Sequence, residues 1–119
     1  MSFDGLKNSK RLAKSLQKKL GEAGTPERGG VIVAGPKLIE LDNIAEGDDA
    51  YTCDSMALVD LMAEHELVGT WHTHPGATAN LSMGDADTFA GWPDLAHVIV
   101  GTDGPRWYAV KNGAVINAS

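Results

Sequence analysis

Trp71-His72-Thr73-His74-Pro75 is followed closely by Ser82-Met83-Gly84-Asp85. Two imidazoles and a carboxylate form a donor set that suits a borderline-soft divalent ion such as zinc. His72 and His74 stand at i and i+2. On an extended segment such side chains share a face, so both rings can reach one ion; on a helix they would diverge. Pro75 stops further strand pairing and turns the chain out of a sheet. Asp85 is expected in the first turn of a helix capped by Ser82, and the loop before it is long enough to fold the carboxylate back onto the histidines. Three protein ligands leave a fourth position for water, whose pKa zinc lowers from about 15.7 to about 7.

Such a site also needs a proton acceptor and a donor toward a developing oxyanion. Glu27 is the candidate base. It sits between Pro26 and the pair Gly29-Gly30, small residues expected to let substrate or metal come close. Ser82 is the candidate oxyanion donor. Each piece also has an ordinary structural reading. Ser82 with Asp85 is a near variant of the capping box, a lone His-x-His pair is often core or surface, and an isolated glutamate is usually solvated. The joint spacing carries the chemistry.

The elements that must position these residues follow from periodicity. Leu12, Leu16 and Leu20 recur every four residues and predict an amphipathic helix over 8–20, ended by Gly21, Gly24 and Pro26. Strands are expected over 31–34 and 37–44, with a turn at Glu46-Gly47-Asp48-Asp49. A second helix starts near Asp54 or Ser55, either of which is a good N-cap. A strand over 67–71 leads to the histidines, 75–81 is a loop, and 82–90 is a third helix. Strands over 97–101, 106–110 and 114–116 complete the chain, the last two joined by a turn at Asn112-Gly113. This order implies an α/β fold, a single domain over 1–119 with a mixed sheet flanked by helices.

Composition narrows the partners. A net charge of -6 over 119 residues disfavours binding to a nucleic-acid backbone, and the lysines of the first helix read as a solvated face. One cysteine, Cys53, allows no internal disulfide, which fits a reducing compartment. No stretch is apolar enough to span a membrane, and the first residues do not read as a signal peptide, so a cytoplasmic location is expected.

Glu27, then His72-Thr73-His74-Pro75, then seven residues from Pro75 to Leu81, then Ser82-Met83-Gly84-Asp85: this arrangement resembles the JAMM/MPN metalloproteases. Their pattern is an upstream glutamate, His-Ser/Thr-His-Pro and Ser-x-x-Asp at that spacing. Pro26-Glu27-Arg28-Gly29-Gly30 resembles the family's entry to its first strand, and Asn43-Ile44-Ala45 its asparagine-alanine segment. The resemblance implies a cytidine-deaminase-like mixed sheet between helices. It implies zinc on His72, His74 and Asp85, Glu27 as the proton shuttle and Ser82 as the oxyanion donor. It further implies a protein or peptide substrate with a flexible C-terminal tail, cleaved after the terminal glycine of a ubiquitin-like or sulfur-carrier protein, or a role in phage tail assembly. The absence of long insertions resembles a minimal prokaryotic or phage-type member. The alternative is a noncatalytic interaction module of the same fold.

Overall fold

A computed structural model describes residues 3–46 and 50–119. Met1, Ser2 and most of the turn expected at Glu46-Gly47-Asp48-Asp49 lie outside the described residues. The elements run α1 (Phe3–Lys7), α2 (Lys10–Lys19), β1 (Gly29–Val33), β2 (Lys37–Leu41), α3 (Ser55–Glu64), β3 (Leu67–Thr73), α4 (Met83–Ala90), β4 (Ala96–Gly101), β5 (Gly104–Lys111) and β6 (Ala114–Asn117). Six strands form one sheet in the order β2-β1-β3-β4-β5-β6. The β3–β4 pair is parallel and every other pair is antiparallel. The sheet is therefore mixed, as the element order implies.

A parallel pair needs a crossover. Here the crossover carries the Pro75–Leu81 loop and α4. The chain leaves the sheet for it just after His72 and Thr73, at the carboxyl end of β3, where open sheets commonly bind ligands.

The helix expected over 8–20 is α2, and a further short helix, α1, precedes it. Ser9 separates the two, and its hydroxyl accepts a hydrogen bond from Leu12 N at 3.1 Å as the cap of α2. The single turn α1 is too short to show a period, yet its Leu6 is buried beside Leu12 and Leu16. Together with Ile32, Trp71, Val98, Val100 and Trp107 these fill one face of the sheet. Burying each large apolar side chain contributes roughly 1.5–3 kcal/mol. The opposite face holds Phe89 of α4, Ile99, Tyr108 and Ala79. Alternation along β3 sends Trp71 to the first face, while His72 lies 5.9 Å, centroid to centroid, from Phe89 on the second.

The glycine pair 29–30 belongs to β1, and β3 runs on through His72 to Thr73. The second strand ends at Leu41 rather than residue 44, because Asn43 turns its side chain onto the backbone. Asn112 and Gly113 both have positive φ, 53° and 79°, as a tight hairpin between β5 and β6 requires. No described helix is long and apolar enough to cross a membrane.

Candidate metal centre

Strand pairing brings Glu27 to the histidines. Gly29 lies opposite His72 in the antiparallel β1–β3 register. One step on, Thr73 N donates to Arg28 O at 2.8 Å, and Arg28 N donates to Thr73 Oγ1 at 2.9 Å. Continuing the register sets Glu27 across from His74. Thr73, between the two histidines, points away from them and ties their strand to the segment that bears the glutamate. Ligand atoms of Glu27, His72 and His74 lie within 4.8 Å of one another.

Asp85 enters from α4. The Ser82 hydroxyl accepts from Asp85 N at 3.0 Å, and Asp85 Oδ2 accepts from Ser82 N at 3.2 Å, a reciprocal capping box. That box aims the carboxylate at both rings: Oδ1 is 3.0 Å from His72 Nε2, and Oδ2 is 3.2 Å from His74 Nε2. Burial disfavours the Asp85 anion, but the two imidazoles and Ser82 more than offset it and hold the carboxyl well below the usual range. The structural and chemical readings of Ser82 and Asp85 therefore coexist.

His74 is oriented from behind. Its Nδ1 lies 2.9 Å from the Thr78 carbonyl oxygen, which can only accept, so Nδ1 carries a proton. A neutral ring then presents its Nε2 lone pair to Asp85. Burial lowers the His74 pKa, whereas Asp85 and the Thr78 carbonyl raise it, and the net shift is upward. Without a cation between them, a proton on Nε2 takes that role. His72 is 6% exposed, and its Nε2 has no hydrogen-bond partner. Its charged neighbour is Asp85 Oδ1 at 3.0 Å.

The loop that offers Thr78 O is itself pinned. Ala79 N donates to Asp103 Oδ1 at 2.8 Å and Tyr108 OH donates to Ala79 O at 2.7 Å. Arg106 bonds both Asn80 and Asp103. The loop presses on Gly101, where a Cβ would lie 2.3 Å from Ala79 N.

Gly29 and Gly30 do not leave room for substrate, contrary to the expectation from sequence. A Cβ on Gly29 would lie 2.8 Å from the Tyr51 ring, and one on Gly30 would lie 1.9 Å from the Ile39 carbonyl oxygen. The space is filled by the chain itself. Tyr51 stacks on His72 at an interplanar angle of 7° and donates its hydroxyl to Leu41 O at 3.0 Å.

Asn43 organises this corner. Its Nδ2 donates to Glu27 O at 2.8 Å and to Ala50 O at 2.9 Å, while its Oδ1 accepts from Ala45 N and Thr52 N. The short Asn-x-Ala turn is a readable local signal. Its long-range partner Glu27 is not, nor are Thr78, Tyr51 and Tyr108 as supports.

Glu27, His74, Ser82 and Asp85 line one open groove of about 740 Å³. His72 faces a smaller adjoining pocket that shares Tyr51, Asp85 and Thr88 with the groove. The structure thus gathers all five residues singled out in the sequence. The donor chemistry fits a zinc-like ion: two ring nitrogens, one of them buried and without a hydrogen bond, with carboxylates beside them.

Comparison with known proteins agrees on the fold. A solution structure from Desulfitobacterium hafniense is similar with TM-score 0.68 at 19% identity, over 93% of this chain and 88% of that one. A second, from Salinibacter ruber, has TM-score 0.60 at 16% identity, over 93% and 87%. No curated protein matches the sequence. The pattern of the family described as prokaryotic homologs of the JAB domain matches residues 9–112, and the chain belongs to that family.

Proposed function

We propose that this protein is a zinc-dependent hydrolase of amide bonds, with a peptide or isopeptide in a flexible protein tail as substrate. The observation that carries the reading is His72 Nε2, which is buried, lacks a hydrogen-bond partner and lies 3.0 Å from Asp85 Oδ1. A buried ring nitrogen that makes no hydrogen bond and stands against a carboxylate is satisfied by a cation held between the two. In this reading His72, His74 and Asp85 hold the ion. Zinc bound there would supply a Lewis acid for the amide carbonyl and an acidified water.

The remaining work falls to the chain. Glu27 is buried at 9% exposure and faces the same groove. Its carboxylate takes a proton from the attacking water and delivers it to the leaving amine nitrogen. The Ser82 oxygen accepts from Asp85 N, and its own proton can turn from Asp85 toward the oxyanion. The groove admits an extended chain beside these groups. The family resemblance favours glycine on the acyl side of the bond.

Zinc titration of two variants tests the reading. Glu27→Gln should keep one zinc per chain and lose cleavage by about 10²–10⁴-fold. His74→Ala should lose zinc and cleavage together. Stoichiometric zinc in wild type with no cleavage of any peptide or isopeptide tail would instead support the noncatalytic module.

A further inference from the structure

Beside the groove lies a second cavity of about 90 Å³ between α3, α4 and the sheet. Its wall includes Cys53, Leu58, Leu67, Phe89, Trp92 and Leu95, and His72 and Asp85 stand at its edge. An apolar cavity of about 150 Å³ accommodates benzene. By proportion, this one holds three or four heavy atoms.

Apart from His72 and Asp85, which belong to the proposed metal site, the polar side chains around the cavity are already engaged. Thr70 Oγ1 is 2.6 Å from His97 Nδ1, Thr88 Oγ1 donates to Gly84 O at 3.0 Å, and Tyr51 OH donates to Leu41 O. Burial pushes the Cys53 thiol up, so it stays neutral. A charged or strongly hydrogen-bonding guest would lose its water and find little in return. An aliphatic guest gains about fourfold in affinity per buried methylene.

Tyr51, Asp85 and Thr88 form walls of both this cavity and the groove. A chain lying in the groove therefore passes the cavity at the level of Asp85. We infer that the cavity is a specificity pocket for one uncharged aliphatic side chain of valine or leucine size, carried by a substrate residue next to the scissile amide. The inference rests on the hydrolase reading for its substrate, though the pocket can be tested without it. Leu58 faces the cavity from α3 and takes no part in the proposed chemistry. Leu58→Phe adds about the bulk that the cavity can hold.

Two measurements separate the pocket from the reaction. The first uses zinc-loaded protein and peptides varied on each side of the scissile bond in turn. Valine or leucine at one side should exceed lysine and aspartate at that position by about tenfold or more in kcat/KM, with glycine also weaker there. Leu58→Phe should erase that preference while zinc stoichiometry is unchanged. The second is an NMR titration with N-acetyl-leucinamide and N-acetyl-glycinamide. The leucine probe should shift Trp92 and Leu95 signals in wild type, the glycine probe should not, and Leu58→Phe should abolish the response. Binding of the leucine probe without cleavage of any peptide would keep the pocket and overturn the hydrolase reading. Cleavage with no aliphatic preference, or with one that Leu58→Phe leaves intact, would overturn the pocket alone. Neither binding nor cleavage would overturn both.

Discussion

His74 and Thr78 meet through a ring N–H and a backbone carbonyl at 2.9 Å, so the loop after β3 decides which nitrogen of His74 faces Asp85. Second partners of this kind fix the tautomer of a ligating histidine and strengthen it as a donor. The site is thus prepared from outside its own donor set.

Zinc should stabilise the fold by mass action. At free zinc about a hundredfold above Kd the gain is about 2.7 kcal/mol. In a chain of this length that raises Tm by about 10 °C. Thermal melts with zinc, with chelator, and with His74→Ala check it. A melt of His74→Ala that responds to zinc as wild type does would exclude His74 as a ligand.

Ser82 has two jobs that substitution can part. Ser82→Ala removes the cap and should cost about 1 kcal/mol. It should also lower kcat by about 10²–10³-fold if the hydroxyl serves the oxyanion. Ser82→Thr keeps both cap and hydroxyl and should recover most of each loss. Denaturant unfolding and steady-state kinetics on the same preparations read the two effects separately.

Asn43→Asp removes both donated bonds and sets a carboxylate against the carbonyl oxygens of Glu27 and Ala50. The expected loss of stability is about 1–3 kcal/mol. Zinc stoichiometry should hold, because none of the three proposed ligands moves, while kcat falls with Glu27 misplaced. Retention of full kcat would show that Glu27 needs no such anchor.

His97 is fully buried, and its pKa is lowered to about 4, chiefly by burial. Its Nε2 donates to Trp92 O at 3.0 Å, and its Nδ1 accepts from Thr70. The neutral ring belongs to the folded state, whereas the unfolded chain protonates near pH 6.5. Its contribution is therefore intact above about pH 6.5, fades as pH falls, and is spent near pH 4. Relative to His97→Gln, wild type should lose about 3 kcal/mol across that window. Unfolding free energies of both proteins at several pH values, under chelation, provide the comparison.

Much of this was readable from the sequence because local patterns carried it. Leu12 and Leu16 announced α2, Asn112-Gly113 announced a hairpin, and Ser82 announced the start of α4. The histidine spacing placed both rings on one side of β3. What local pattern could not supply was register. Nothing near Glu27 says that it will face His74; that follows from Gly29 pairing with His72, a contact between distant segments. The glycine pair was misread for the same reason. Its small size serves Tyr51 and Ile39, both remote in sequence. The turn α1 escaped notice because five residues show no period.

Every residue proposed to hold zinc or take part in the chemistry lies between positions 27 and 85. The clamps on the Ala77–Asn80 loop come later, from Gly101, Asp103, Arg106 and Tyr108. A nascent chain that has reached the end of α4 therefore owns the full set of reactive groups without the means to aim His74. Zinc affinity would be acquired only when β4 and β5 have joined the sheet, so the ion reports on complete folding, and a fragment ending at α4 should bind it no better than an unstructured His-x-His peptide.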